Sequence, residues 1–376
     1  MKKSYIYILI IVLVITLVVV NQKKNSKTFV VDGVRYSTSL DGNSVDSFPS
    51  KGDYEVEVNC TNAKGSWNYS KWVARINNIT GKVSCNISFT SKTPTNINDY
   101  IKGLAGTEQG TGQVVIENGY RYEGKNPNNY IYFNNELWRI IGVFDSSSHG
   151  KSGQYLTKII RNDSLGGYAW DKSNRNNWAT SSLYNLLNTN YYNATDGTSG
   201  GNCYQYSTTI TGNCDYTETG LQNEYRNMVE NVTWYFGGKG SNSYTAEVFY
   251  TGERDSTSVY SGNTSAITGY IGLMYASDYG YSVLSSSCAR TTNLGSYNTS
   301  ACGGSSWLKK ENIEWSITHN SASSNISFYL NNTANLDYIS ASLGYATRPV
   351  LYLKFNVQVY AGDGSISKPY QIKLAS

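Results

Sequence analysis

Proline is scarce, with 5 residues in a chain of 376, and the 35 glycines follow no Gly-x-y period, so a collagen-like chain is excluded. Charged residues make up only 15%, and no Ala/Glu/Lys/Leu/Arg heptads run through the chain, which excludes a long coiled coil. Low charge beside 14% aromatics also excludes an intrinsically disordered chain, whose signature is the reverse. Histidine occurs twice, at His149 and His319, and no C-x-x-C spacing exists, so the metal-ligand patterns of zinc sites are absent. Basic charge is short where it would matter for nucleic acid. Lys2, Lys3, Lys23, Lys24 and Lys27 supply +5 of a formal net charge of +4, leaving −1 for residues 28–376. A nucleic-acid footprint needs a basic patch, so no nucleic-acid partner is expected.

What the chain does have begins at its amino end. Tyr5 to Val20 is an apolar run broken only by Thr16. As helix it spans roughly 24 Å at about 1.5 Å per residue, close to a hydrocarbon core once Lys3 and Lys23 snorkel. Residues 1–27 are therefore expected to be a transmembrane anchor and short linker, with the lipid bilayer as partner of residues 5–20. A cleaved signal peptide is the competing reading. Val18-Val19-Val20-Asn21-Gln22 offers it no small-x-small cleavage site. The flanking lysines leave orientation nearly tied. Cysteine breaks the tie. Six cysteines fall as neighbours in three pairs, Cys60 with Cys85, Cys203 with Cys214 and Cys288 with Cys302. An even count at such separations suggests disulfides and an oxidising exterior; six buried thiols are the alternative. The expectation is a single-pass protein with its amino terminus cytoplasmic and its body outside the cell.

Period-two alternation marks strands in residues 28–90: Tyr54, Val56, Val58 and Cys60, then Trp72, Ala74 and Ile76, then Val83, Cys85, Ile87 and Phe89. This segment reads as a small all-β sandwich module with Cys60 and Cys85 on its apolar face. Residues 91–104 read as a polar connector. Residues 105–376 read as an α+β domain with two helices and long loops. Tyr130 to Phe133, Asn134-Asn135-Glu136 and Leu137 to Phe144 predict a β-hairpin, which Lys158 to Arg161 extends. Ser181 or Thr180 can cap a helix over Leu183, Leu186, Leu187 and Tyr191. A second helix is expected over residues 220–236, with Leu221, Tyr225, Met228, Val229 and Val232 on its apolar face and Gly237-Gly238 ending it.

Several of these stretches resemble a large family of uncharacterised membrane-anchored surface proteins of anaerobic gut bacteria. The resemblance rests on Phe48-Pro49-Ser50-Lys51-Gly52, Cys60-Thr61-Asn62, Trp138-Arg139-Ile140-Ile141-Gly142-Val143-Phe144, Trp234-Tyr235-Phe236-Gly237-Gly238, Ile271 to Tyr281 and Arg348-Pro349-Val350-Leu351-Tyr352-Leu353. It implies no established activity. More distantly, the order of elements is similar to the C-type-lectin-like fold shared with formylglycine-generating enzymes. The lectin calcium motif is missing, so a calcium-dependent sugar site is not implied. The redox pair of the enzymes would fall on Cys288 and Cys302, where a structural bridge is the plainer reading. Binders on that fold carry variable residues before the final strand, a place that Ser323 to Tyr345 occupies here.

No catalytic constellation emerges, and the enzyme question leans to no. His149 sits in a polar loop pattern and His319 in a strand-edge pattern. Gly197 to Gly201 matches Gly-x-Ser-x-Gly without the strand-to-helix context of a nucleophile elbow, and Ser306 to Lys309 matches Ser-x-x-Lys without its companion motifs. Asp278 and Glu253 read as ion-pair carboxylates. Asp163, Asp171 and Asp363 are the candidate calcium ligands, but no twelve-residue loop frames them. No cofactor is expected. The positive signal is Tyr329, Asn331, Asn332, Asn335, Asp337 and Tyr338, crowded into ten residues. Tyrosine gives contact area at low rotamer cost, and asparagine gives adaptable hydrogen bonds. The expected function is a surface-tethered, adhesin-like binder of a glycan or protein; a surface enzyme on glycans or peptides and a structural part of a surface assembly are the alternatives.

Overall fold

The computed structural model describes residues 28–31, 34–206 and 214–375. The apolar run of residues 5–20 lies outside the described residues, and among those described no helix is long and apolar enough to cross a membrane. Strand outweighs helix, 37% against 15%, so the α+β, two-helix expectation is corrected: the body is mainly β. The chain divides into two compact units, one reaching to Thr95 and including Tyr360–Gly362, the other formed by Asn96–Val359 and the carboxyl-terminal residues.

In the smaller unit, Val34–Leu40 runs parallel to Ser84–Ser91, which runs antiparallel to Tyr54–Thr61. Alternation is the cause: Tyr36, Ile87 and Phe89 are sealed from water while Ser37, Asn86 and Ser88 face outward or sit at the rim. Ala74 and Ile76, from the hairpin of Lys64–Asn68 and Val73–Asn77, join the same core. Each buried isoleucine or phenylalanine here contributes about 1.5–3 kcal/mol relative to leaving it exposed. The register sets Cys60 directly opposite Cys85, and the two are bridged. Trp72 takes a positive φ of 54° just before its strand, and its indole donates 2.7 Å to the Pro49 carbonyl.

Residues 91–104 are more than a connector. Asn96 caps a helix, Ile97–Gly103, by accepting from Asn98 N at 2.9 Å and Asp99 N at 3.4 Å. Ile97 and Ile101, one turn apart, are buried in the core of the larger unit. The spine of that unit is Glu136–Phe144, paired with Tyr130–Phe133 on one side and Leu156–Arg161 on the other. Asn134 and Asn135 turn the hairpin with φ of 54° and 61°, the left-handed pair a two-residue turn requires. Val350–Tyr352 then pairs with Leu156–Arg161.

The Ser181 cap forms, its hydroxyl accepting from Tyr184 N at 3.0 Å. Leu183, Leu186, Leu187 and Tyr191 are buried along Ser182–Asn185 and the wider π-helical turn Leu186–Tyr191. The second expected helix does not form. Residues 220–236 hold one helical turn, Asn223–Arg226, and then a strand, Val232–Tyr235, paired with Ala266–Gly269. The physical reason lies in Val229, Val232, Thr233, Trp234 and Tyr235: β-branched and aromatic side chains favour a pleated surface, and Asn227 and Asn231 interrupt helical hydrogen bonding. The apolar spacing is met all the same, because Leu221, Tyr225, Met228, Val229 and Val232 are all buried. Two further helices follow: Ala246–Arg254 packs one face on the core, and Ala276–Ser282 is buried along its length.

Candidate aromatic recognition surface

The third sheet of the larger unit is ordered Gly167–Ala169, Gly344–Ala346, Glu314–His319, Ile326–Leu330, Leu336–Ser340. Pairing sets Tyr329 across from Trp315 on one neighbour and Asp337 on the other, so the three share one face. Tyr345 comes up beside them from Gly344–Ala346. Its ring centroid lies 4.8 Å from Trp315 and 5.1 Å from Tyr329, with the two tyrosine planes 48° apart. Trp315 is fully buried, and its indole donates 2.8 Å to the Tyr168 carbonyl, which pins the ring the tyrosines rest on. Tyr329 and Tyr345 remain partly open to solvent.

The polar edge of this surface is also defined. The Tyr329 hydroxyl donates to Asp337 Oδ2 at 3.4 Å. Partial burial, then the Asp337 carboxylate and the Tyr345 hydroxyl, push the Tyr329 phenol up to about 12. Tyr345 is raised by burial and then by Asp337 and Tyr206. Both phenols are therefore neutral donors at physiological pH, beside one anionic acceptor. Tyr206, 49% exposed, lies close enough to act on Tyr345.

Of the six residues singled out from sequence, this face brings together Tyr329 and Asp337. Tyr338 alternates to the other face, where its ring packs 5.6 Å from Phe328. Asn331 builds the hairpin turn: its side-chain oxygen accepts from Thr333 N, Thr333 Oγ1 and Asn335 N. Asn335 accepts from Asn298 N at 2.8 Å, and Asn332 is exposed at the tip. Sequence reasoning missed Tyr206, which is distant in the chain, and took Tyr345 only as the end of a segment.

Most of the remaining sequence candidates have structural employment. All three cysteine pairs are bridged, Cys288–Cys302 and Cys203–Cys214 included. These bridges suit an oxidising, extracellular-type setting. His149 is buried, its Nε2 3.1 Å from the Phe144 carbonyl and its Nδ1 accepting from Lys151 N. Asp171 accepts from the backbone of Ser173, Arg175 and Ser182. Asp363 accepts from Ser365 N, and Ser306 accepts from Leu308 N and Lys309 N. Glu253 takes the Ser277 hydroxyl and amide and the Thr318 hydroxyl. Asp278 pairs with Arg121 at 3.0 Å and Lys158 at 2.5 Å, all three sealed from water. Burial works to raise the Asp278 carboxyl, but the two cations overcome it and hold it near 2. Among the described residues no three His, Cys, Asp or Glu side chains gather as a metal site.

No family model, curated protein or solved structure matches the chain.

Proposed function

We propose that this is a surface-tethered extracellular binding protein, held to the bilayer through residues 5–20, that takes a glycan against Tyr329 and Tyr345. The observation that carries the reading is the ring pair backed by buried Trp315 and edged by the Asp337 carboxylate. A sugar ring offers an apolar C–H face and an equatorial rim of hydroxyls. Tilted phenol rings suit the first, and neutral hydroxyl donors beside a carboxylate suit the second. The backing matters because a ring fixed by packing loses little freedom on binding.

A glycan and mucin array probed with the full chain tests this. Binding is expected, with Tyr329→Ala and Tyr345→Ala each weakening it about 30-fold, the effect of losing an aromatic anchor worth about 2 kcal/mol. Tyr338→Ala, on the other face, is expected to leave it unchanged. A silent array, or undiminished binding by Tyr329→Ala, overturns the reading.

A further inference from the structure

A second feature of the larger unit lies at the loop that enters Glu314–His319. Lys309, Lys310 and Glu311 face Asn162, Asp163 and Ser164 across a cleft of about 420 Å³, with Arg348 and Glu314 beneath. Arg348 is 2% exposed. Its Nε donates to Glu314 Oε1 and its Nη2 to the Leu308 carbonyl, both at 2.7 Å. Its Nη1 has no hydrogen-bond partner among the described residues. Lys310 Nζ reaches only a neutral acceptor, Asn162 Oδ1, at 3.1 Å. Arg139, also buried, is held by Asn129, Asn126 and the Pro127 carbonyl, again neutral groups.

The charge balance is uneven. Three cations, Arg139, Arg348 and Lys310, lie together with one buried carboxylate, Glu314, which Arg348 already engages. Asp163 and Glu311 also line the cleft but are exposed at its rim, where water weakens their pull; Asp163 still acts on Lys310. Burial, then Arg348 and Arg139, push the Lys310 ammonium down to about 8, against the upward pull of Asp163 and Glu314. A desolvated group of like charges is unfavourable until a counter-charge arrives.

We propose that this cleft binds a small oxyanion, a sulfate, phosphate or carboxylate group, contacted by Lys310 and held by the field of the two guanidinium groups behind it. Lys310 supplies the contact because its ammonium lines the open cleft. Arg348 Nη1 is sealed behind it and acts through charge. The inference is independent of the glycan reading, since the ring surface belongs to different residues and does not alter the charges here.

The test follows the ε-carbon signal of Lys310 by NMR in the full chain with labelled lysines, assigned by its loss in Lys310→Met. Sodium sulfate, phosphate, acetate and a sulfated monosaccharide are added against sodium chloride of equal ionic strength. The expected result is a rise of the Lys310 midpoint by about one unit, a tenfold gain in proton affinity, with at least one oxyanion. Exposed Lys64 should not follow. The inorganic and sugar-borne arms distinguish a free ion from a group carried on a saccharide. Lys310→Met is expected to lose at least tenfold in affinity for that anion. No midpoint change with any oxyanion beyond that seen with chloride overturns the proposal, as does equal binding by Lys310→Met. Arg348→Gln should also lose binding; if it does not fold, the native titration and Lys310→Met still decide.

Discussion

Lys158 Nζ and Asp278 Oδ2 meet at 2.5 Å in the interior of the larger unit, although 120 residues separate them in the chain. Arg121 closes the other side of the carboxylate, between the Phe144 and Tyr281 rings. A single buried anion thus holds two buried cations. Asp278→Asn is expected to lose about 3–5 kcal/mol in chemical denaturation, because it strands both partners. Replacing Asp278 and Lys158 together, by Asn and Met, should recover part of that loss. A loss below about 1 kcal/mol for Asp278→Asn would show the cations to be otherwise compensated.

His319 yields a pH prediction. It is buried, neither ring nitrogen has a hydrogen-bond partner among the described residues, and burial pushes its pKa from 6.5 down to about 4. The unfolded chain therefore takes up the proton first as pH falls. Stability from this group is complete above pH 6.5, falls between 6.5 and 4, and falls no further below, by a total of about 3 kcal/mol. Unfolding free energies at pH 7, 5.5 and 4 should show that slope in the native chain and a shallower one in His319→Leu. Parallel slopes would mean that His319 finds a partner when protonated.

Much of this was readable where the signal is local. Asn134-Asn135 between two apolar runs announces its turn, and Ser181 before Leu183, Leu186 and Leu187 announces a capped helix. Residues 220–236 misled because buried positions at 221, 225, 228, 229 and 232 mimic a helical stripe while strand-forming side chains decide the backbone. The third sheet was hidden for a different reason. All six residues of Glu314–His319 are buried, so the strand lies between two covered faces and shows no alternation. Tyr329 and Asp337 stood out by composition. Their neighbours Tyr206 and Tyr345 come from other elements, and Lys310, Arg348 and Arg139 converge from three separate stretches. No spacing rule links residues brought together only by tertiary packing.

Gly65 gives a sharp test of the smaller unit. A Cβ added there would lie 2.5 Å from Val58 Cγ1 and 2.8 Å from Cys60 Sγ, beside the bridge to Cys85. Neither neighbour can swing away, since one is β-branched and the other cross-linked. Gly65→Ala is expected to cost about 1–3 kcal/mol by overpacking. Gly81→Ala meets only the Asn62 side chain, at 3.4 Å, and serves as the tolerated control. Equal melting temperatures for the two variants would mean that Lys64–Asn68 shifts freely over the sheet.

The oxidised state supports the extracellular address, and thiol chemistry can test it directly. Sequence separations of 25, 11 and 14 between bridged partners give each disulfide about 3 kcal/mol in the chain-entropy account. The share is greatest for Cys60–Cys85, because the smaller unit has the smaller core to set against chain entropy. Under native, unreduced conditions a thiol reagent should find no free sulfhydryl, and after reduction in denaturant it should find all six cysteines. Paired replacement of Cys60 and Cys85 by serine should lower the denaturation midpoint of the smaller unit before that of the larger one. Six titratable thiols in the native protein would remove the chemical case for an oxidising location. They would leave the register of Tyr54–Thr61 against Ser84–Ser91 to be maintained by the backbone ladder and by packing around Val56, Ile87 and Phe89.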